Sequence, residues 1–382
     1  MSDTFCILPY IHAVFNPYDV NEDYPDGTAL SNIKPCCRYD GYEGHETFGT
    51  YKPIEDSELF KKVQEELSSG IKSKGCSRCW KDESVGEQSY RQGKNQEFKH
   101  LIEDGSYKEK KLRFLEITPS NVCNLACRTC NSGFSSRWLP VEKYLKEESS
   151  FGYYQKDFNW VYPDWRKIDL SHLTSLKLMG GEPMFLKDNV ALLKHLDSIG
   201  QLEHMSLIVI TNLMNPLTDD WKDLLGKCKE VMMYVSIDAI GELGEYIRTH
   251  SNWETVRNNL VSMLKFSYTH DRFHVQVNSV ISIFNVNKTI ELQKYIQTLV
   301  GHHFEDILRY PAHQDIRHLP NNIKEKLIDI GVTKKIEEHL FSSEPQDLLP
   351  YFFSEVKSVD KYHKKHFKDY NPEMWELLNG EV

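Results

Sequence analysis

Hydrophobic and polar positions alternate between two periods over most of the chain from residue 112 onward. Short apolar runs typical of strands are separated by longer stretches in which apolar residues recur every three to four positions, as in helices. Because this order repeats, it predicts βα units and an α/β fold with a parallel sheet. The predicted strands span residues 112–118, 175–179, 207–211, 231–237, 274–283 and 307–310.

The fifth predicted strand has two distinct faces. Val275 and Val277 lie on one face, whereas Gln276 and Asn278 lie on the other. A strand with one polar face predicts a hydrated barrel interior. Helical spacing is clearest in the stretch after the first strand, where Phe134, Trp138, Val141 and Leu145 are predicted core residues. Ser251 and Glu254 form a predicted capping box before another helix.

The two ends of the chain differ from this central part. The first ninety residues hold five of the nine cysteines, together with a predicted helix around Leu59, Val63 and Leu67. After Pro311 the pattern becomes helical and charged, and we expect these helices to pack across the barrel opening. The expected organisation is an N-terminal module (1–91), a charged linker (92–111), the α/β domain (112–311) and a C-terminal helical extension (312–382).

Composition narrows the classes of function. A formal net charge of −10 argues against non-specific nucleic-acid binding, which requires a basic face. No apolar run is long enough to cross a bilayer, and the first residues do not resemble a signal peptide. We therefore expect a cytoplasmic protein with no membrane partner. In a reducing compartment, cysteines serve as metal ligands more often than they form disulfides.

Three cysteines follow the first predicted strand, spaced C-x3-C-x2-C. Cys123, Cys127 and Cys130 cannot complete the four-ligand shell of an ordinary iron–sulfur cluster. The spacing therefore indicates a cluster with one iron open to a ligand that is not protein. The alternative is three buried or zinc-bound thiols.

The N-terminal cysteines supply a second set of four ligands. The set consists of Cys6, one of the adjacent Cys36 and Cys37, and the pair Cys76 and Cys79. Four thiolates suit a zinc tetrahedron and a [4Fe–4S] cluster equally well, so the residues themselves leave the metal open.

The cysteine triad and the run Gly180-Gly181-Glu182-Pro183, one βα unit later, resemble the radical S-adenosylmethionine (SAM) superfamily. The resemblance implies a partial (β/α)6 TIM-like barrel whose [4Fe–4S] cluster binds SAM. It also implies reductive cleavage of SAM to a 5′-deoxyadenosyl radical, which abstracts a hydrogen from the substrate. A one-electron reductant such as flavodoxin or ferredoxin would supply the electron.

The same resemblance assigns residues at four strand ends to SAM, where working groups of such barrels lie. A carboxylate can accept hydrogen bonds from the SAM ammonium, hydroxyl and carboxylate groups can bond the ribose, and a guanidinium fork can hold the SAM carboxylate. The residues so assigned are Gly180, Gly181, Glu182, Pro183, Asn212, Ser236, Asp238, Arg248 and Asn278.

Two positions depart from the superfamily pattern. Leu213 stands where related proteins often have glycine, and Thr129 stands where an aromatic residue commonly packs on adenine. Apolar cover for adenine is then expected from Leu178 or Val280. Cys228 lies outside both cysteine sets and is expected to be a small buried hydrophobe.

The N-terminal segment resembles the twitch module, a short relative of the SPASM domain. The shared pattern runs from Phe5-Cys6 through Pro35-Cys36 to Cys76-x-x-Cys79-Trp80, followed by Glu83, Ser89 and Arg91. The resemblance implies an auxiliary [4Fe–4S] cluster on Cys6, Cys36, Cys76 and Cys79, with Cys36 favoured over Cys37. Four cysteines would ligate this cluster fully, which favours electron transfer over direct substrate binding. The module here precedes the barrel, whereas it usually follows it.

Three functions remain open from the sequence. The first is hydrogen abstraction from a peptide or protein, and the second is the same chemistry on a small molecule such as an amino sugar, nucleoside or cofactor precursor. The third is a non-catalytic metal-binding or electron-transfer protein. No general base is assigned, and His12, His250 and His313 are candidates only as histidines that could lie in a cleft.

Overall fold

The computed structural model describes residues 2–19, 33–39, 54, 57–84, 86–148, 159–301 and 303–380. The strands are β1 (His12–Phe15), β2 (Tyr18–Asp19), β3 (Ile33–Lys34), β4 (Phe114–Ile117), β5 (Trp160–Val161), β6 (Ser175–Leu178), β7 (Ser206–Thr211), β8 (Glu230–Ser236), β9 (Phe273–Ile281) and β10 (His303–Ile307). The helices are α1 (Leu8–Ile11), α2 (Glu58–Ser68), α3 (Ser77–Ser84), α4 (Tyr90–Glu97), α5 (Lys99–Glu103), α6 (Leu139–Glu148), α7 (Lys187–Ser198), α8 (Asp219–Lys227), α9 (Gly241–Ile247), α10 (Trp253–Ser267), α11 (Thr289–Gln297), α12 (Asn321–Ile330), α13 (Lys334–Leu340), α14 (Leu349–His363), α15 (Phe367–Tyr370) and α16 (Pro372–Asn379).

One eight-stranded sheet organises the fold, with the strand order β10-β9-β8-β7-β6-β4-β1-β3. From β10 to β4 the neighbouring strands are all parallel. The α/β class and the parallel sheet predicted from the alternating pattern are therefore confirmed. Closure of these strands into a partial barrel stays a prediction.

The sixth predicted strand was placed wrongly. The observed strand β10 begins at His303 and ends at Ile307, so it overlaps the predicted strand 307–310 only at Ile307. The buried face of β10 carries Glu305, whose carboxylate accepts a hydrogen bond of 2.8 Å from the Thr333 hydroxyl. Because a paired carboxylate occupies a core position, the strand lacks the apolar run that a sequence pattern requires.

The N-terminal segment contributes strands to the same sheet, which the sequence pattern did not predict. Strand β1 pairs in parallel with β4, with His12 opposite Phe114 and Phe15 opposite Ile117. Strand β3 then pairs antiparallel with β1 at the sheet edge. The expected boundaries of the four segments stay predictions, and parts of the N-terminal one lie outside the described residues.

Buried and half-buried side chains alternate along the central strands. In β7, β8 and β9 every second residue is buried, and those residues pack with α7, α8, α10 and α11 in the largest core. A second core joins the C-terminal helices to the carboxyl ends of β9 and β10. A third, small cluster packs α6 against Val359 of α14.

The opposite face of the central strands is partly accessible. Ile208, Tyr234 and Gln276 are half-buried members of this face. The two-faced character predicted for the fifth strand is thus present in β9. Within the described part of the chain, we find no helix that combines the length and apolar character needed to cross a membrane.

Candidate functional site

The three cysteines of the triad lie on one loop at the carboxyl end of β4. The backbone N–H of Cys130 donates to the Cys127 carbonyl at 3.0 Å, and the Trp138 indole N–H donates to the same carbonyl at 2.8 Å. Ser136 Oγ accepts from the Cys123 N–H at 3.2 Å. Trp138 is 1% exposed, so its hydrogen bond to Cys127 attaches the loop to a buried core residue.

The cysteine loop is also fastened to the segment that carries Arg248. The N–H of Ala126 donates to the Thr249 carbonyl at 2.9 Å, and the N–H of Arg128 donates to the Ile247 carbonyl at 2.7 Å. These bonds hold the cysteines and Arg248 at one edge of the sheet, although the two segments are far apart in sequence.

The thiols of the triad are electrostatically coupled. Burial raises the pKa of Cys127 to about 11, and the Arg248 guanidinium opposes that rise. Burial raises the pKa of Cys130 further, and the neighbouring Cys127 charge adds to it. Burial thus disfavours the thiolate form of these cysteines unless a cation lies beside them, and three cysteines on one loop are a donor set that fits an iron–sulfur cluster.

That fit rests on the chemistry of the donor set. No group of three or more His, Cys, Asp or Glu side chains among the described residues is arranged to hold a single metal ion. The three thiols share one loop and one buried environment, and three cysteines would leave one iron of a [4Fe–4S] cluster without a protein ligand.

The two glycines after β6 allow backbone contact with the cysteine loop. A Cβ at Gly181 would lie 2.5 Å from the Val122 carbonyl oxygen, and one at Gly180 would lie 2.0 Å from the Thr118 side chain. Both glycines also have positive φ, 69° at Gly180 and 56° at Gly181. The glycines predicted for SAM therefore have a structural reason of their own, which is close packing against the loop.

Glu182 links three strand ends. Its N–H donates to the Val122 carbonyl at 3.0 Å, and its carboxylate accepts from the Thr211 hydroxyl and the Asn212 N–H, each at 2.7 Å. Burial raises the pKa of Glu182, which is 1% exposed. The adjacent Pro183 accepts at its carbonyl a 3.0 Å hydrogen bond from the side chain of Asn189.

Asn212 lies beside the first cysteine of the triad. Its side-chain amide donates to Asn124 Oδ1 at 2.7 Å and lies 3.9 Å from Cys123 Sγ. Leu213, where related proteins often have glycine, adopts a φ of 57° and is fully buried. The loop thus keeps a glycine-like backbone while an apolar side chain fills the core beneath it.

Asp238 and Arg248 form a buried ion pair. Arg248 Nη1 donates to Asp238 Oδ2 at 2.7 Å, and the other carboxylate oxygen accepts from the Val280 N–H at 2.8 Å. Arg248 Nε is buried and has no hydrogen-bond partner among the described residues. Burial alone would lower the pKa of Arg248, but Cys127 and Asp238 raise it. Asp238 therefore braces Arg248 and the end of β9.

Ser236 and Asn278 are register neighbours on adjacent strands. Both lie on the half-buried face of the sheet, and Gln276 Nε2 donates to Asn278 Oδ1 at 2.8 Å. Leu178 is 0% exposed within the main core, so it cannot cover an adenine as expected. Val280 remains half-buried on the accessible face.

The four N-terminal cysteines chosen from the twitch resemblance line one cavity. These are Cys6, Cys36, Cys76 and Cys79, and Cys37 is not part of the lining. Burial raises the pKa of both Cys6 and Cys76 to about 12, and the negative charge of a Cys79 thiolate contributes to each rise. By residue type, four thiols suit zinc and a [4Fe–4S] cluster equally well, so the identity of the metal stays open.

Residues of the twitch-like pattern build the wall of that cavity. Arg91 forms a two-point ion pair with Glu83, at 2.9 Å from Nε and 2.8 Å from Nη2, and donates from Nη1 to the Phe5 carbonyl at 2.6 Å. Its guanidinium also lies 5.0 Å from the centroid of the Trp80 ring. Arg91 thereby ties the segment of Cys6 to the helix that carries Cys79.

His12, Glu116 and Lys177 form a charged ladder across three neighbouring strands. The hydrophobic pattern of the sequence did not predict it. Glu116 of β4 lies 3.3 Å from His12 of β1 and 2.9 Å from Lys177 of β6. Burial raises the pKa of Glu116, but its two partners outweigh that and lower it well below the usual range. The signal was present in the sequence as one acidic and one basic residue inside otherwise apolar strands.

The three candidate bases have different surroundings. His12 is fully buried and its Nδ1 lies 3.0 Å from the Pro35 carbonyl, so it belongs to the ladder. His313 Nε2 is hydrogen-bonded to the Glu355 carboxylate. His250 is exposed, and burial of part of its ring lowers its pKa. Cys228 is 1% exposed, in agreement with its expected role as a buried hydrophobe.

Comparison with known proteins gives matches only among solved structures. No protein-family model and no curated protein match the chain. It is similar to native anSMEcpe with bound AdoMet and Cp18Cys peptide, with 14% identity over 61% of this chain and 67% of that chain and a TM-score of 0.33. It is also similar to Streptococcus suis SuiB, with 14% identity over 81% of this chain and 65% of that chain and a TM-score of 0.34.

A third similar structure is the radical S-adenosylmethionine methyltransferase TsrM from Kitasatospora setae, with cobalamin and a [4Fe–4S] cluster bound. Identity is 13%, the TM-score is 0.35, and the match covers 53% of this chain and 38% of TsrM. This chain therefore spans well under half of TsrM and about two thirds of the other two proteins. Each TM-score is below 0.5, so these likenesses do not establish a family for the chain.

Proposed function

We propose that the protein is a radical SAM enzyme that abstracts a hydrogen from a peptide or protein substrate. Cys123, Cys127 and Cys130 would hold a [4Fe–4S] cluster with one open iron. The cluster and SAM, when bound, supply one-electron cleavage of SAM and the radical that removes the hydrogen atom. The protein's own contribution is to bind, orient and shield these groups.

One observation carries the proposal: Glu182, Asn212 and the segment of Arg248 come from successive strand ends and are hydrogen-bonded to the cysteine loop. Glu182 bonds the Val122 carbonyl, Asn212 bonds Asn124, and the segment of Arg248 bonds the loop backbone. A set of unrelated surface residues has no reason to be linked in this way. The carboxyl edge of a parallel sheet is also where such folds place their working groups.

Arg248 is the residue best prepared to hold the SAM carboxylate. Asp238 fixes one end of its guanidinium, and its buried Nε–H lacks a partner among the described residues. A buried donor without an acceptor is costly, so an incoming carboxylate oxygen would be stabilised there. Asn212, Ser236 and Asn278 would face the ribose and adenosine from the half-buried side of the sheet.

The four-cysteine cavity would hold an auxiliary [4Fe–4S] cluster in this proposal. Cys6, Cys36, Cys76 and Cys79 would complete its ligand shell, leaving no iron for substrate. Its role would then be electron transfer, and a one-electron reductant such as flavodoxin or ferredoxin would deliver electrons to the protein in the cytoplasm.

The substrate would lie on the half-buried face of the central strands, beside the residues proposed for SAM. Gln276 and Asn278 present amide groups on this face, and such groups can both donate to and accept from a peptide backbone. A cavity of about 720 Å³ lies at the other end of the strands, where Ser206 and Glu230 begin β7 and β8. Because working groups of such folds lie at the carboxyl ends of strands, we do not assign this cavity to the substrate.

Anaerobic reconstitution with iron and sulfide tests the proposal. About eight irons per chain, four for each cluster, and reductant-dependent formation of 5′-deoxyadenosine are expected. The double variant Cys76→Ala/Cys79→Ala should keep about four irons and the SAM-dependent signal, whereas Cys127→Ala/Cys130→Ala should lose that signal. Zinc in place of iron, or no SAM cleavage at full iron content, would refute the enzyme and favour a structural metal protein.

The substrate class has its own experiment. Deuterated peptide pools and deuterated metabolite pools are incubated separately with the reconstituted protein, SAM and reductant. Deuterium in 5′-deoxyadenosine from the peptide pool supports the proposal. Deuterium from the metabolite pool alone would replace the peptide substrate with a small molecule.

A further inference from the structure

Lys177 places a positive charge just before the strand end that carries the two glycines. It is the next-to-last residue of β6, and Gly180 and Gly181 follow that strand closely. Lys177 is half-buried, whereas the other residues of β6 are buried, and it pairs in register with Ile208 of β7. Its side chain therefore lies on the half-buried face of the central strands, next to the edge where SAM is proposed to bind.

This face carries little other charge. The half-buried side chains of β7, β8 and β9 are all uncharged at neutral pH, and the exposed Glu230 and His274 lie at the amino-terminal ends of their strands. Burial raises the pKa of Tyr234 in β8, and the charge of Lys177 opposes that rise. Because β7 separates β6 from β8, the charge of Lys177 acts across the face.

The ammonium of Lys177 has unused hydrogen-bond donors. Its Nζ donates to Glu116 Oε2 at 2.9 Å, and this is its one acceptor among the described residues. An ammonium has three N–H donors, so two are left for a ligand. The Lys177 side chain is 19% exposed, whereas that of Glu116 is fully buried, so a ligand can reach the lysine but not the carboxylate behind it.

Glu116 holds the ammonium in place but shares its charge with a second residue. Its other oxygen, Oε1, lies 3.3 Å from His12 Nε2. Burial would lower the pKa of Lys177, but Glu116 raises it above its ordinary value, so the side chain stays protonated. A fixed ammonium that is only partly exposed to water and has free donors stabilises an anion through charge-assisted hydrogen bonds.

The anionic groups of an unmodified peptide are carboxylates, at acidic side chains and at the C-terminus. We propose that Lys177 binds a carboxylate of the substrate, and that this contact selects an acidic peptide and positions it beside the SAM site. Gln276 and Asn278, on the same face, would bond the backbone of that peptide. This inference rests on the proposed function, since it requires a peptide on this face.

Three deuterated peptide pools of matched sequence test the carboxylate. The first has Asp and Glu with amidated C-termini, the second has Asn and Gln with free C-termini, and the third has Asn and Gln with amidated C-termini. Each is incubated with the anaerobically reconstituted full chain, SAM and reductant, and deuterium in 5′-deoxyadenosine is measured. The first or the second pool should transfer at least about tenfold more deuterium than the third, and the one that does so identifies the carboxylate.

Substitution of Lys177 assigns the preference to this side chain. In Lys177→Met the ratio between the preferred pool and the third pool should fall to within about twofold, because methionine has no charge. Lys177→Arg should retain the preference, since a guanidinium also donates to a carboxylate. Glu116→Gln/Lys177→Met should show the same loss as Lys177→Met, and it leaves no buried carboxylate unpaired if the single variant fails to fold.

The matched control is Lys227→Met, which breaks a 3.0 Å ion pair with Asp197 between α8 and α7. Its ratio should equal that of wild type. Equal transfer from all three pools, or a preference that persists in the variants with Met at position 177, would overturn the inference and leave the proposed function standing. Absence of transfer from every pool, despite SAM cleavage, would overturn the peptide substrate and this inference with it.

Discussion

At the scale of single residues, the sequence indicates where polar groups lie but not which neighbours they bond. Glu182 and Asp238 were both expected to contact SAM, yet their carboxylates bond Thr211, Asn212 and Arg248. A residue type at a strand end predicts that a polar group is needed there. It does not tell whether that group binds a ligand or holds its neighbour, because this depends on side chains from other strands.

The substitution Asp238→Asn isolates the bracing role. It leaves the buried Arg248 charge without a counter-charge, and the pair is only 1% exposed at Asp238 and 16% at Arg248. Breaking a buried ion pair from one side costs about 3–5 kcal/mol, so urea unfolding should reveal a loss of that size. Weaker S-adenosylhomocysteine binding should accompany it.

Asp219→Asn is the matched control, since the Asp219 side chain is 99% exposed next to Lys222. Its free energy of unfolding should change by less than about 0.5 kcal/mol. Equal effects of the two substitutions would contradict a bracing role for Asp238.

Leu213 offers a competition between backbone strain and packing. Its φ of 57° costs a non-glycine residue about 1–2 kcal/mol, whereas truncating a buried leucine to alanine costs about 2–5 kcal/mol. The packing energy lost on truncation exceeds the backbone strain relieved, so Leu213→Gly should be less stable than wild type. Leu213→Ala should be less stable still, because it loses the packing and keeps the strain.

The same denaturation series decides this order. The glycine variant gains unfolded-state entropy worth about 0.4–1 kcal/mol, which is less than the strain it relieves. A glycine variant more stable than wild type would mean that the side chain contributes little to the core.

At the scale of elements, most strands and helices of the α/β part could be predicted from periodicity. Helix α10, which follows the predicted capping box, buries Val256, Leu260 and Met263 on one face. Its cap is Asn252, which accepts from the Thr255 N–H at 2.9 Å, rather than the predicted Ser251. Cap choice depends on backbone angles one residue apart, which a spacing rule does not resolve.

Elements that lack an apolar run were missed or displaced for a physical reason. Strand β10 carries the buried carboxylate of Glu305, which is paired with Thr333, and strand β1 carries His12 of the charged ladder. Charged and polar side chains at core positions hide a strand from a hydrophobic pattern. Only their partners on other elements explain why they are tolerated there.

The contact of α14 with the cysteine loop predicts a local change. Arg128 Nη2 donates to Asp360 Oδ1 at 2.7 Å, and both side chains are almost fully buried, at 2% and 6% exposed. Asp360→Asn removes the counter-charge, so hydrogen exchange of the Ala126 and Arg128 amides should quicken. Exchange in α8, which lies away from this pair, serves as the internal control. Unchanged protection at the loop would contradict a role for α14 in holding it.

At the scale of the whole molecule, the contacts that join distant segments of the chain could not be predicted from the sequence. Strand β1 adds the N-terminal segment to the main sheet, and Gln314 and Asp360 bond the C-terminal segments to the cysteine loop. Such contacts join residues that are far apart along the chain. Contacts between such distant residues leave no periodic pattern in a single sequence.

Acid should lower the stability of the protein through His363, which lies in α14. Burial lowers the pKa of His363 from 6.5 to about 4, with help from Arg128, His250 and Lys365. Between about pH 6.5 and pH 4, His363 is therefore protonated in the unfolded chain but neutral in the folded chain. Because the unfolded state binds the extra proton, the free energy of unfolding falls as the pH drops through that range. His363→Gln should show a shallower decline of the urea midpoint over the same range. An identical decline in both proteins would exclude His363 as a source of acid sensitivity.

The proposed function depends on a cluster, held by the three-cysteine loop, whose open iron would bind SAM. Electron–nuclear double resonance on reduced Cys76→Ala/Cys79→Ala protein, with SAM labelled by ¹⁵N at its amine and ¹⁷O at its carboxylate, measures that bond directly. We expect hyperfine coupling of both labels to the cluster, and loss of that coupling in a further Cys127→Ala substitution. A four-iron signal that is unchanged by labelled SAM, or zinc on these three cysteines, would contradict it.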